Sequence, residues 1–390
     1  MIVYKNVRIA DVEKGCFYPE NEIWVEDGKI VSLGQPAELP DTARVIDLRG
    51  TMTMLPGLFN VHTHIQFDST PSGAVIYASQ PRFTVSALKN LQKYLRSGVL
   101  FIRDMAGADY VDMEMRDMLR EGLISGPEML ASGKNLVATG GQSWENGVEV
   151  DGKDACIRAV RQQCKKDVDW IKLMASGGSK TPRTHIYQPH LSLEEMTTVV
   201  EEAARLQRKV AAHATGGLSA KYAAKAGVAS VEHGYYLDEE TLDIMAEKGI
   251  AYVPTMAINY IMMNSAGKPC ITDAMVEKAK ATFATQQDTV RRAMEKGVTI
   301  CVGTDACSPY NDHDCTAQEL IALTLCGMSP ADAIRSATIH SAKLCDVQEQ
   351  RGSIAPGKAA DFALFEGDPF ADISVLADCK AVIQKGELVR

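Results

Sequence analysis

Leu55-Pro56-Gly57-Leu58-Phe59-Asn60-Val61-His62-Thr63-His64 is the stretch on which the reading of this chain turns. A short apolar run ends in two histidines one residue apart. On a β-strand alternate side chains share a face, so His62 and His64 present two imidazoles to one point. That pairing suits zinc and related divalent ions. Two solvated histidines at a strand end would look the same over so short a motif. The distinction rests on whether other strand ends supply further ligands.

Outward from this stretch, residues 56–348 alternate between short β-branched runs and helical patterns. The runs include Val99-Leu100-Phe101-Ile102, Trp170-Ile171-Lys172-Leu173, Val210-Ala211-Ala212-His213, Ser230-Val231-Glu232-His233, Ile250-Ala251-Tyr252-Val253 and Val298-Thr299-Ile300-Cys301-Val302. Helical patterns run from Leu193 to Gln207 and from Leu237 to Lys248. Such alternation predicts an α/β fold, either a parallel barrel or a doubly wound sheet. Spacing favours the (β/α)8 TIM barrel, because eight units over roughly 290 residues average about 36 each. With the His-x-His strand as the first, Lys172, His213, His233 and Asp305 fall at the ends of strands four, five, six and eight. In such a barrel, polar residues at the C-terminal strand ends converge on one mouth.

The two ends of the chain read as β. Met1-Ile2-Val3-Tyr4, Glu22-Ile23-Trp24-Val25-Glu26 and Lys29-Ile30-Val31-Ser32-Leu33 are strand-like, with Asp27-Gly28 as a two-residue hairpin turn. Asp361-Phe362-Ala363-Leu364-Phe365 and Ala381-Val382-Ile383-Gln384 answer them, with Lys385-Gly386 as a turn. The expected organisation is a composite β domain from residues 1–55 and 349–390, with residues 56–348 as a catalytic insert.

Four strand-end residues are unexpected on packing grounds. Lys172 stands inside Val168-Asp169-Trp170-Ile171-Lys172-Leu173-Met174, and lysine is rarely fully buried unless paired. It is either a lysine that snorkels from a strand end or one neutral enough to react with carbon dioxide. Burial lowers its pKa from about 10.4, and nearby cations push the same way. The carbamate then offers two oxygens able to bridge two metals. His213 and His233 end apolar runs on adjacent strands. Asp305 closes Cys301-Val302-Gly303-Thr304-Asp305; it either caps the next helix or serves as ligand and general base.

Taken together, Pro-Gly-Leu-x-x-x-His-x-His, Ile171-Lys172 before Ser176-Gly177-Gly178, His213, His233-Gly234, Gly303-Thr304-Asp305 and the closing Gly352-Ser353-Ile354-Ala355-Pro356-Gly357-Lys358-Ala359-Ala360-Asp361 resemble the amidohydrolase superfamily. The resemblance spans nearly the whole chain. It implies a distorted (β/α)8 barrel carrying a small β-sandwich built from both termini. It also implies two divalent metal ions, zinc first among them. His62 and His64 would hold the buried ion with carboxylated Lys172 and Asp305; Lys172, His213 and His233 would hold the outer one. The implied reaction is attack of a metal-bridging hydroxide on an amide carbonyl, with Asp305 as general base and then acid.

Within the superfamily, Ile102-Arg103-Asp104-Met105-Ala106-Gly107, Thr139-Gly140-Gly141, Met174-Ala175-Ser176-Gly177-Gly178 and Glu232-His233-Gly234 resemble the Xaa-Pro dipeptidase and N-acyl-amino-acid hydrolase subgroup. The resemblance gives Tyr236 the role of hydrogen-bonding the substrate carbonyl, with Tyr235 as its neighbour and rival. Two departures stand out. Gln142 follows Thr-Gly-Gly where the subgroup often has histidine, and glutamine lacks the charge of an imidazolium. His340 stands where asparagine is usual, a change expected to be structural. Gln142, Arg183 and His185 are the candidate substrate-binding residues, while His190 and His313 receive no role. The competing readings are a mononuclear cyclic-amide hydrolase or deaminase on the same barrel and a non-catalytic scaffold. The buried lysine and the full set of six ligand-type residues argue against both.

Composition bounds the partners. The 41 basic and 50 acidic residues give a net charge of −9, spread along the chain, which disfavours nucleic acid and anionic membrane. Neither a secretory signal nor a membrane-spanning stretch is evident. The ten cysteines form no Cys-x-x-Cys pair and fit a reduced, cytoplasmic setting. The expected partner is a small-molecule substrate, with a second copy of the chain as the candidate macromolecular one.

Overall fold

The structure is a computed structural model that describes residues 1–35, 38–74, 78–178, 181 and 184–389. It is a mixed α/β fold with parallel sheets. His62 lies on strand Leu58–Thr63, all six residues buried, and His64 follows directly after its end. This strand pairs in parallel with Val99–Asp104, which pairs in turn with Glu128–Ala131. A second parallel sheet runs in the order Val148–Glu149, Leu136–Val137, Trp170–Met174, Lys209–Gly216, Ser230–Tyr236 and Ala251–Val253. The central strands are buried on both faces, as parallel strands covered by helices are.

Hydrogen bonds join the two parallel sheets at both edges. On one side Asp169 N donates to the Ala131 carbonyl at 2.9 Å. On the other, the segment 299–305 lies between Ala251–Val253 and Leu58–Thr63. Tyr252 N donates to Thr299 O at 2.8 Å and Cys301 N to Tyr252 O at 2.9 Å. Val61 N donates to Val302 O at 2.7 Å and Asp305 N to His62 O at 2.9 Å. The sequence reads 298–302 as a regular strand, yet only an isolated bridge, Tyr252 to Ile300, forms there. The cause lies in the π-helical turn Ser336–His340. Its Ser336 carbonyl takes the Val302 N–H at 3.3 Å, and His340 Nδ1 bonds the Ile300 carbonyl at 3.1 Å. His340 therefore anchors the segment that carries Asp305.

Helices follow most of the parallel strands. Leu193–Arg205 starts at Ser192, whose side chain accepts from Glu195 N while the Glu195 carboxylate accepts from Ser192 N, a reciprocal capping box. Among the described residues no helix is long and apolar enough to cross a membrane.

The chain ends meet in one sheet. Phe362–Glu366 runs antiparallel to Met52–Pro56 and to Cys379–Gln384, and Arg8–Asp11 lies parallel to Met52–Pro56. A four-stranded sheet, Lys29–Leu33, Glu22–Glu26, Ile2–Lys5 and Arg44–Asp47, packs with it. Tyr4, Ile9, Ile23, Met54, Phe362 and Ile383 belong to their common apolar cluster. Asp27 and Gly28 have φ of 49° and 73°, the left-handed pair a tight hairpin turn needs.

Gly303 marks a close approach between the segment that carries Asp305 and its neighbouring strands. A Cβ there would stand 2.5 Å from His62 Cβ and 2.6 Å from Val253 Cγ1. Gly303→Ala is therefore predicted to destabilise the protein by about 1–3 kcal/mol through overpacking. Chemical denaturation checks this, and a wild-type midpoint would contradict the close approach.

Candidate metal centre

The strand ends put five of the six expected ligand side chains within touching distance. His64 Nε2 lies 3.2 Å from Asp305 Oδ1, and His62 Nε2 lies 3.8 Å from it. The ligand atoms of these three residues all fall within 4.8 Å of one another. The His62 ring centroid is 4.9 Å from that of His233, which is 4.6 Å from that of His213. Lys172 shares their interior by register: it lies opposite Ala211 on the neighbouring strand, two residues before His213.

Backbone conformation explains one arrangement that alternation forbids. Glu232 and His233 are consecutive, yet both reach the same interior. His233 adopts φ of 72°, in the left-handed region, which turns its side chain back beside that of Glu232. Asp305, Thr255 and Ala106 are left-handed as well, with φ of 48°, 50° and 96°. Non-glycine residues held there cost about 1–3 kcal/mol each and gather at functional sites.

Each histidine has one ring nitrogen committed to the protein. His62 Nδ1 meets Glu232 Oε2 at 2.6 Å, His64 Nδ1 meets the Ala106 carbonyl at 2.7 Å, and His233 Nδ1 meets Thr255 Oγ1 at 2.8 Å. His213 uses Nε2, at 3.3 Å from the Gly177 carbonyl. The other nitrogen is left for the centre, the arrangement by which outer partners orient metal-binding imidazoles. Burial, and next the Lys172 charge, lower His62 to about 4 and His213 to about 3. Burial with the neighbouring His213 and His62 holds His233 well below its usual value. All three rings are neutral near pH 7, the state a metal ligand requires.

Lys172 is fully buried, and its Nζ has no hydrogen-bond partner among the described residues. Burial pushes it down to about 8 against the opposing pull of Glu232 and Asp305. An unpaired ammonium in such a place is costly.

Glu232 and Arg103 received no role from the sequence, although both interrupt apolar runs. Arg103 is wholly buried; its Nε donates to the Val61 carbonyl at 2.7 Å, Nη1 to Ser230 Oγ at 3.1 Å and Nη2 to Glu232 Oε1 at 2.9 Å. Its guanidinium lies 4.4 Å from the Trp170 ring. Burial would raise the Glu232 carboxyl, but Arg103 and His62 overcome this and hold it far below the usual range. Two such charges in one apolar strand set are the signal by which the pair was findable.

The remaining candidates divide. Gln142 is buried, and its Oε1 accepts from Thr181 N at 3.2 Å, so it ties down the loop after Trp170–Met174. His185 is exposed, its backbone pressed on Gly177. Arg183 lies outside the described residues. Of the adjacent tyrosines, Tyr235 places its ring 6.0 Å from that of His233, whereas Tyr236 packs on Tyr187 at 5.0 Å. The left-handed turns at His233 and Gly234 shift which tyrosine faces the histidine. His190 Nδ1 accepts from Gln142 N at 3.3 Å. His313 Nε2 meets the His64 carbonyl at 3.2 Å and so fixes the backbone of that residue.

Known proteins resemble this chain over most of its length. The family described as "Amidohydrolase family" matches residues 53–389. The ochratoxinase of Aspergillus niger is 31% identical over 397 aligned residues, covering 92% of this chain and 80% of the relative. A solved Xaa-Pro dipeptidase with methionine in its active site superposes with a TM-score of 0.90 at 30% identity, covering 100% of this chain and 99% of its own. A prolidase in complex with N-methylphosphonate-L-proline gives a TM-score of 0.90 at 28% identity, with the same coverage.

Glu232→Gln keeps the shape but leaves Arg103 without its counter-charge and weakens the hold on His62. The prediction is affinity for a divalent ion reduced about 10–100-fold and stability lowered by about 3–5 kcal/mol. Chelator competition and denaturation of the variant measure the two effects; wild-type values for both would show that the carboxylate does not organise the centre.

Proposed function

The chain belongs to the amidohydrolase family, and we propose that this hydrolase of carbon–nitrogen bonds uses two divalent metal ions, most suitably zinc, to cleave the amide of a dipeptide such as Xaa-Pro or of an N-acyl amino acid. The observation that carries the reading is the buried Lys172 Nζ, without a partner among the described residues, beside neutral imidazoles. A carbamate on Lys172 replaces an unsatisfied cation with an anion whose two oxygens suit metal coordination. His62, His64, Lys172, His213, His233 and Asp305 are the residues that would hold the ions. The same reading takes the joined parallel sheets as a distorted (β/α)8 barrel spanning 56–348. The β-sandwich of residues 1–55 and 349–390 would be its companion domain. The ten cysteines include no Cys-x-x-Cys pair, which supports a reducing, cytoplasmic setting.

Divalent ions bound here supply Lewis acidity, which makes water nucleophilic near neutral pH and polarises a carbonyl. The chain's own groups do the rest. Asp305 accepts the proton of the attacking water and returns it to the leaving nitrogen. Glu232 keeps His62 in one tautomer, and Glu232 and Thr255 fix the orientations of His62 and His233. The Tyr236 hydroxyl, pushed up to about 12 by burial and by Tyr187, stays protonated, but Tyr235, whose ring neighbours that of His233, is the better placed of the two to donate to the substrate carbonyl.

Two variants and a substrate panel test this. Asp305→Asn is expected to retain bound zinc yet lose at least about a hundredfold in turnover, the scale of general acid–base catalysis. Near wild-type turnover would remove the proton shuttle. Lys172→Ala is expected to lower the metal content of protein loaded in the presence of bicarbonate from about two per chain, and to abolish hydrolysis. One metal per chain in wild type, with activity surviving that substitution, would establish the mononuclear alternative. Xaa-Pro dipeptides and N-acyl amino acids form the first panel.

A further inference from the structure

Glu319 is a fully buried carboxylate outside the set of candidate ligands. It stands on the helix Thr316–Thr324, and its two oxygens take two consecutive backbone amides. Met256 N donates to Oε1 at 3.0 Å and Ala257 N to Oε2 at 2.6 Å. These amides follow Thr255 directly, and Thr255 Oγ1 is the partner of His233 Nδ1 at 2.8 Å. Burial pushes the Glu319 carboxyl up to about 8, against the pull of the two amides. Glutamine would fill the same space without a charge to bury. It has one acceptor oxygen where the carboxylate has two, so it would set an N–H against one of the amides.

Thr255 needs such a hold. Its φ of 50° lies in the left-handed region, where a non-glycine residue persists only when its surroundings over-determine it. Here both flanks are gripped. On one side Gln286 Nε2 donates to the Pro254 carbonyl at 3.1 Å, while Gln286 Oε1 accepts from Asn259 Nδ2 at 2.8 Å. On the other side stands Glu319. Its helix is fixed in turn to the strand that carries His62, because Asn60 Nδ2 donates to Thr316 Oγ1 at 3.1 Å, one turn before Glu319. The carboxylate thus ties the backbone beside Thr255 to the strand of another candidate ligand.

We propose that Glu319 is a positioning residue for His233 and acts through Thr255. It holds the left-handed turn that sets Thr255 Oγ1 against His233 Nδ1, and so aims the other ring nitrogen at the centre. This rests on the reading of His233 as a metal ligand and adds the group that keeps its ring in place.

The test is a double-mutant cycle of Glu319→Gln and Thr255→Val. It is read as zinc affinity by chelator competition and, in metal-free protein, as the ring nitrogen NMR signals of His233, assigned with His233→Asn. Each single variant is expected to weaken zinc binding about tenfold, the scale of an outer partner of a ligand. Each is also expected to shift the His233 signals while leaving those of His64 in place. The double variant is expected to be no worse than Thr255→Val alone, because the hydroxyl through which Glu319 acts is already gone. Additive losses, or equal shifts at His233 and His64, would make Glu319 a structural carboxylate only and overturn the proposal. Wild-type values in folded Glu319→Gln protein would overturn it as well. If that variant does not fold, Glu319→Asp, which keeps both acceptors but withdraws them, enters the same cycle against the same outcomes. Wild-type protein that binds a single ion or none would defeat the two-ion reading, while the metal-free signals still decide the role of Glu319.

Discussion

The buried Arg103–Glu232–His62 chain is the interaction on which the rest of the centre depends. Placing two opposite charges in an apolar interior is costly unless their remaining hydrogen-bonding capacity is met. Here it is met: Arg103 reaches the Val61 carbonyl, Ser230 and Glu232, and its guanidinium covers the Trp170 ring. Those partners lie on the strands Leu58–Thr63, Ser230–Tyr236 and Trp170–Met174. One guanidinium on Val99–Asp104 therefore ties together the strands that carry His62, His233 and Lys172. Glu232 passes the constraint on by holding His62 Nδ1 at 2.6 Å.

Local backbone strain completes the placement. His233, Thr255, Ala106 and Asp305 all adopt left-handed φ. Each has a task that an ordinary extended strand could not perform. Thr255 and Ala106 present the oxygens that fix His233 and His64. His233 and Asp305 turn their own side chains inward. The folding energy of the surrounding packed strands sustains these conformations against about 1–3 kcal/mol at each. Gly303 serves the same end by removing a side chain where the Asp305 segment presses on His62.

Much of this arrangement was legible from strand periodicity. His62 and His64 share a face because they alternate. Lys172, His213 and Asp305 drew notice because each ends or interrupts an apolar run. Glu232 and Arg103 carried the same mark, yet neither reveals its partner, since the two lie 129 positions apart. The tyrosines show the limit of counting along a strand. Two consecutive left-handed residues, His233 and Gly234, alter the alternation, so that Tyr235 meets His233 while Tyr236 turns to Tyr187. The 298–302 run reads as a regular strand, but a π-helical turn distant in sequence takes one of its amide hydrogens.

Residue type and period by themselves determined the α/β alternation, the β character of both termini and the gathering of histidine, lysine and aspartate at strand ends. These follow from local rules: which side chains pack on a pleated strand, which turn at Asp27-Gly28, and which residue types bind metals. Tertiary structure alone decided that Arg103 neutralises Glu232, that Glu232 orients His62, that Gln142 holds a loop, and which tyrosine faces the centre. Each of these depends on a contact between segments remote in sequence or on a backbone angle imposed by packing, and neither is encoded in the spacing of residues along the chain.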